Sequence, residues 1–365
     1  MTIFANGTGY ATAEAHGPRG RRGVLPGSSC APVRVVAARL CACLGAGALL
    51  WGAPLVLAAG MASAGAAYPV RPIRVIVPQA TGGTVDLLTR MLGERLETAL
   101  GVAVVVDVRP GANGIIGNEL VKRAAPDGYT LLAASTSTLV MTPHVVARLP
   151  YDPLRDFVPV INLVYQTKAV LVSSAIGVAT MGELIALARS RPGQLNYASG
   201  GVGSASHLDA EQFAALTGIE LVRIPYRGSA QSVAAVSANE VQVLLSSVTA
   251  AQPALATGRA RALAVLADRR SALLPNVPTF VEAGLPRLDV QTWIGFLAPA
   301  GTPPSIVESL NRALNALLRS PDIRTWLEQQ GLEPIGGSPE AFGSEIRADF
   351  EKWGKTTHRL GIRPQ

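Results

Sequence analysis

Three stretches of this chain gather glycines and hydroxyl residues where a strand should pass into a helix. The first is Gln79-Ala80-Thr81-Gly82-Gly83-Thr84, which follows an apolar run from Ile73 to Val77. Pro78 cannot continue a central ladder, and Leu87, Leu88, Met91, Leu92, Leu96 and Leu100 then mark one face of a helix with Gly83 or Thr84 as its N-cap. The second is Ser135-Thr136-Ser137-Thr138, at the end of an apolar strand from Tyr129 to Ala134. The third, Ser199-Gly200-Gly201-Val202-Gly203-Ser204-Ala205-Ser206-His207, follows the strand Leu195–Ala198 and opens a helix through Leu216. A helix start carries unpaired N–H groups at the positive end of its dipole, so glycines and hydroxyls there suit a small anion. A tight strand-to-helix turn would use the same residues with no ligand at all. No Lys or Arg occurs in Pro78–Asp86, Ser135–Thr138 or Ser199–His207. The nearby cation is Arg227, just after the strand Val222–Pro225, placed either to meet a second anionic group or to brace its own loop in solvent.

Catalytic constellations are missing from the chain beyond residue 67. It has no G-x-S-x-G elbow, P-loop, H-E-x-x-H or cysteine there, and His144, His207 and His358 have no ligand-like spacing. Gly111-x-x-Gly114-x-x-Gly117 follows a strand but lacks the G-x-G start of a dinucleotide loop. His207 beside Ser204 and Ser206 invites a hydrolase reading, but the acid within reach, Asp209, lies two positions along the same helix and points away. The residues therefore predict binding without catalysis, metal or cofactor.

These stretches need a scaffold that holds strand ends together. From residue 68 onward, apolar β-rich runs alternate with helical patterns, which predicts an α/β protein with mainly parallel sheets. About 300 residues usually divide into two lobes. The first 67 residues differ in kind. Arg19, Arg21, Arg22, Arg34 and Arg39 precede an uncharged stretch from Leu40 to Val70 that contains Ala62-Ser63-Ala64 and Gly65-Ala66-Ala67. This reads as an export leader cleaved near residues 64–67. All three cysteines (Cys30, Cys41, Cys43) fall in it, so the exported part needs no disulfide. The formal charge of +7 is also partly the leader's. Without its five arginines and one glutamate, 27 basic residues face 24 acidic ones, +3, with no basic stripe for nucleic acid.

Across residues 68–365 the chain resembles the substrate-binding receptors of tripartite tricarboxylate transporters, the Bug family. The likeness is carried by Tyr68-Pro69-Val70-Arg71-Pro72-Ile73-Arg74, Val77-Pro78 with Gly82-Gly83 and Asp86, Arg109-Pro110-Gly111-Ala112 and Pro126-Asp127-Gly128-Tyr129. It continues through Leu149-Pro150-Tyr151-Asp152-Pro153, Tyr197-Ala198-Ser199, Pro225-Tyr226-Arg227-Gly228, Leu274-Pro275-Asn276-Val277-Pro278 and Ala298-Pro299-Ala300-Gly301-Thr302-Pro303. The resemblance implies a two-lobed Venus-flytrap fold, with lobe one from residues 68–169 plus 292–365 and lobe two from 170–291. It implies a periplasmic receptor, monomeric, that binds a small organic carboxylate and delivers it to membrane permease subunits. The alternative is an extracytoplasmic sensor acting through a membrane signalling partner. Carried over, the ligand contacts are Gln79, Gly82, Gly83, Thr84, Ser135 and Thr136 from lobe one, with Ser199, Gly200, Ser204 and His207 from lobe two. Arg227 and Ser246 join them as the cation after one strand and the hydroxyl ending another. Two departures stand out. Gln79-Ala80-Thr81 replaces the family's Phe-Ala-Pro, and Ser246 stands where the family often has Asp, which argues against an amino-acid ligand.

Overall fold

The computed structural model describes residues 68–364. Strand β1 (Ile73–Val77) is buried except at Arg74, as its unbroken apolar run requires. Helix α1 (Thr84–Leu100) buries Leu88, Leu92 and Leu96 and ends on Gly101 in the left-handed conformation. It leads to β2 (Val104–Val108), and α2 (Ile115–Lys122) leads on to β3 (Thr130–Ser135). Both β2 and β3 run parallel to β1 and flank it. The chain then forms β4 (Phe157–Gln166) and crosses at Thr167 into a second sheet.

That second sheet starts with β5 (Lys168–Ser173), so the crossing lies two residues before the expected lobe boundary. It continues through α3 (Met181–Ser190), β6 (Leu195–Ser199), α4 (Ala205–Thr217), β7 (Leu221–Pro225), α5 (Ser229–Ser237), β8 (Val243–Ser247), α6 (Val248–Ala256) and β9 (Ala260–Val265). The strand order is β7-β6-β8-β5-β9. The chain returns as β10 (Thr292–Pro299), followed by α7 (Pro304–Arg319), α8 (Pro321–Gln329), β11 (Leu332–Gly336) and α9 (Pro339–Arg359). The first sheet is ordered β11-β4-β10-β3-β1-β2.

The fold is α/β and two-lobed, but the sheets are mixed instead of mainly parallel. The pairings β10–β3, β10–β4, β11–β4, β5–β8 and β5–β9 are antiparallel. Four of the five involve β5 or β10, the strands by which the chain enters the other lobe, and both enter against the βαβ direction; β11, which follows β10 through two helices, takes the same direction as β10. Two strands escape a reading by pattern. In β4, Pro159 looks like a strand breaker, yet it pairs with Leu297 beside a register shift, where the ladder tolerates it. In β11, Pro334 and Gly336 suggest a loop, but the strand lies at a sheet edge and pairs on one side alone.

The first sheet is covered on both faces. Ile73, Val75 and Val77 pack with Leu92, Leu96, Phe296 and Leu314 on one face, and Ile76, Leu132, Trp293 and Phe342 share a cluster on the other. Gly295 makes the second face possible: a Cβ there would lie 2.4 Å from Phe342 Cζ and 2.7 Å from the Ile161 carbonyl oxygen. Trp293 and Phe342 meet edge to face, with ring centroids 4.9 Å apart.

Candidate functional site

A cleft of about 780 Å³ opens between the two sheets. Four helix starts border it: Gly83-Thr84 of α1, Ser204-Ala205-Ser206 of α4, Gly228-Ser229-Ala230 of α5 and Ser247 of α6. Two of them are satisfied by their own side chains. Ser204 accepts from the His207 N–H and Ser247 from the Ala250 N–H. The other two begin on glycine, Gly83 and Gly228, and neither has a side-chain cap. They belong to opposite lobes and face one another: a Cβ on Gly83 would lie 3.6 Å from Ser229 Oγ, and one on Gly228 3.4 Å from Ala80 Cβ. Their first-turn amides stand at the positive ends of two helix dipoles, an arrangement whose chemistry suits an anion.

Of the residues expected at the site, Gln79, Gly83, Thr84, Ser135, Gly200, Ser204, Arg227 and Ser246 line this cleft. Gln79 Nε2 donates to Ser135 Oγ at 3.2 Å, which joins the first loop to the hydroxyl strand end. Arg227 is exposed at the rim. Four others are absent from the lining. Gly82 is exposed with φ +79°, and its N–H donates to Asp86 Oδ2 at 2.9 Å. Thr136 is buried, its Oγ1 accepting from the Trp293 N–H at 2.8 Å, so it ties β10 to the end of β3. Ser199 ends β6 fully buried, and its carbonyl accepts from the Tyr226 N–H at 2.8 Å. His207 Nδ1 accepts from the Gly203 N–H at 3.0 Å, so the imidazole braces the glycine loop from behind. Burial and the neighbouring Arg223 guanidinium hold His207 below the ordinary imidazole range, against the weaker pull of Glu211. A neutral ring is what its acceptor role requires.

Ser137 and Thr138, from the same hydroxyl stretch as Ser135, line the cleft too, and pattern reasoning passed over other lining groups, among them Asn113, Gln166, Thr292 and Ser247. It also passed over a charged pair. Lys168, first in β5, donates from Nζ to Asp209 Oδ2 at 2.5 Å, and the two side chains are 5% and 1% exposed. Both line the cleft. Burial pushes both toward their neutral forms, Asp209 up to about 6 and Lys168 down, while each partner's charge pulls the other way. Nothing local in the sequence points to this pair, because its members lie 41 positions apart. Among the lining residues the charged ones are thus this compensated pair and Arg227 at the rim, and the other polar ones are neutral.

The lobes touch across the cleft. Thr84 Oγ1 and Ser247 Oγ lie 3.1 Å apart, the Ala205 N–H donates to Ser137 Oγ at 3.3 Å, and Asn113 Nδ2 donates to the Val202 carbonyl. Gly203 sits directly on Val145: a Cβ there would lie 1.9 Å from Val145 Cγ2. Among the described residues no helix is long and apolar enough to cross a membrane.

Comparison with known proteins agrees with this architecture. Residues 88–362 match the model of the tripartite tricarboxylate transporter family receptor. The chain is 35% identical over 298 residues to the protein BugT of Bordetella pertussis, covering 81% of this chain and 91% of that protein. Among solved structures, it is similar to R. palustris Rpa4515 with adipate, with a TM-score of 0.79 and 34% identity over 82% of this chain and 100% of that one. It is also similar to MatC from Rhodopseudomonas palustris with bound malate, with a TM-score of 0.74 and 29% identity over 79% of this chain and 99% of that one. With the two-lobed fold and the interlobe cleft, these matches place the chain in the tripartite tricarboxylate transporter receptor family, a family of binding proteins and not of enzymes.

Proposed function

We propose that this protein is a periplasmic receptor that binds a small organic carboxylate between its lobes and delivers it to the membrane permease subunits of a tripartite transporter. The observation that carries the reading is the pair of uncapped, glycine-started helices, α1 and α5, facing each other from opposite lobes. A carboxylate there would accept charge-assisted bonds from free amides and from hydroxyls such as Ser229, each worth roughly 1.5–3 kcal/mol. Adipate and malate in two similar structures support an acid of this class. In this reading lobe one comprises residues 68–167 plus 292–365 and lobe two comprises 168–291, the first boundary falling two residues before the expected one, and closure of the lobes about the crossing segments traps the ligand. The leader, residues 1–67, lies outside the described residues and is removed on export. The receptor works as a monomer, with Arg227 at the rim free to meet a second carboxylate.

A thermal-shift screen of the exported part against organic acids, amino acids and sugars tests the reading. An acid at 100 times its dissociation constant adds about 2.7 kcal/mol of stability. Gly83→Asp is the matched control. Gly83 has φ −78°, which any residue adopts, and Asp is a favourable N-cap, so the substitution suits the helix while putting a negative charge between the two helix starts. The nearest obstacle to its Cβ, the Ala80 carbonyl oxygen at 3.3 Å, need yield only slightly. Stabilisation by sugars alone, or an acid response unchanged in Gly83→Asp, refutes the proposal.

A further inference from the structure

His207 sits behind the contact by which the second lobe meets the first. Its Nδ1 accepts from the Gly203 N–H at 3.0 Å. Gly203 in turn lies against Val145 of the first lobe, with no room for a Cβ between them, and the adjoining Val202 carbonyl accepts from Asn113 Nδ2. The start of α4, which carries the ring, also packs against the first lobe: Ala205 and Leu208 join a cluster with Leu139, Met141 and Trp293. The loop that the ring braces is therefore the loop that closure engages, and Gly200 within it lines the cleft.

The bond to Gly203 requires one protonation state. An accepting Nδ1 leaves the neutral ring's proton on Nε2, the side on which Glu211 Oε1 lies 3.9 Å away. Glu211 Oε1 already accepts from the Tyr197 hydroxyl at 2.6 Å, and Asp209 on the same helix is committed to Lys168. Arg223 of β7 opposes a further positive charge at the ring. Across the interface Val145 is preceded by His144, whose Nε2 lies 2.8 Å from the Phe350 carbonyl oxygen. A proton added at Nδ1 would set N–H against N–H, so an imidazolium cannot keep the loop where Val145 and Asn113 meet it. With the lobes apart, those two contacts are gone and the loop can move off the ring.

We propose that His207 is a positioning residue for ligand capture: its neutral ring holds Gly200–Gly203 in place for closure, so closing the lobes over a ligand expels a proton from any ring that carries one. This rests on the carboxylate reading above and adds a coupling between binding and pH. A ring at its ordinary 6.5 in the open form and lower in the closed form gives full affinity above 6.5. One pH unit below that, affinity is reduced by up to about tenfold. A ring that only braces its loop would hold its proton equally in both forms and leave no such coupling.

Calorimetric titration with short straight-chain mono- and dicarboxylic acids, in two buffers of different ionisation enthalpy, counts the protons exchanged on binding. At about pH 6.5 the wild-type protein releases roughly half a proton more than His207→Asn, whose Oδ1 can accept from the Gly203 N–H at any pH. Between about pH 7.5 and 5.5 the wild-type affinity falls relative to that of His207→Asn by up to about tenfold, a ratio in which titration of the acid itself cancels. His207→Leu, which offers no acceptor, binds more weakly than His207→Asn throughout. If His207→Asn does not fold, the His207 ring resonances in the wild-type protein, followed against pH by nuclear magnetic resonance, show its pKa falling when the acid is bound. Equal proton counts in the wild type and His207→Asn, a ring pKa unchanged by the acid, or undiminished binding by His207→Leu would overturn the proposal and leave the carboxylate reading intact. Failure of every acid to bind the wild type would instead remove that reading, and this proposal with it.

Discussion

Gly203→Ala isolates what closure of the lobes contributes to binding. Gly203 has φ +75°, so any Cβ there costs about 1–2 kcal/mol of backbone strain. That strain is confined to lobe two and is the same whether the lobes are apart or together, so it lowers the melting temperature without altering affinity. The second effect acts between lobes. The new Cβ would lie 1.9 Å from Val145 Cγ2 and 3.0 Å from Val145 Cβ, where carbon atoms settle at about 3.5–4.0 Å. Val145 is buried and cannot swing into solvent. Overpacking of this kind costs about 1–3 kcal/mol, and here it falls on the closed arrangement alone. Apparent affinity should therefore drop by roughly 5- to 150-fold. Calorimetric titration with an acid that binds the wild-type protein measures the drop, and thermal melts without ligand measure the strain separately. Adding Val145→Ala deletes both Cγ atoms and should restore most of the affinity while leaving the melting temperature depressed. Wild-type affinity in Gly203→Ala, or a double variant as weak as the single one, would show that this contact plays no part in closure.

Other expectations follow from neighbouring contacts. Thr84→Val removes the 3.1 Å hydroxyl contact to Ser247 while Ser247 keeps capping α6, so ligand affinity should weaken by about 1 kcal/mol, measured by titration, with little change in the ligand-free melt. Gly295→Ala should destabilise the first lobe by about 1–3 kcal/mol in urea unfolding, because the Ile161 carbonyl oxygen, 2.7 Å from the new Cβ, belongs to the central ladder and cannot move aside. Burial holds the His144 imidazole below its ordinary 6.5, against the opposing effect of its 2.8 Å contact with the Phe350 carbonyl. The unfolded chain therefore takes up this proton first as pH falls, and stability declines from 6.5 downward toward the depressed folded value. In urea midpoints followed against pH, His144→Gln should flatten part of that slope, with His207, shifted the same way, supplying a remainder.

Much of the scaffold was open to reading because it depends on local chemistry. The run Ile73–Val77, the stop at Pro78 and the apolar period from Leu88 to Leu96 specify a buried strand, a turn and an amphipathic helix, and β1 and α1 lie there. The glycines at the helix starts signalled amides left open, and Gly83, Gly200 and Ser204 line the cleft. The long motif series also carries the family resemblance, and the family match over residues 88–362 agrees with it. What the chain order alone could not decide was direction. Ser135 and Thr136 are adjacent hydroxyls, yet only the first faces the cleft, because neighbouring side chains leave a strand end on opposite sides. The strands β4 and β11 hide behind Pro159, Pro334 and Gly336, which are acceptable only because a register shift or a sheet edge excuses them from a ladder. In the sequence Asp209 reads only as a helix acid that points away from His207, and nothing near Lys168 marks it as its partner. Their union in the wall of the cleft arises because α4 packs on β6 and β8 and β8 pairs with β5, and burial there leaves each charge to pair with the other.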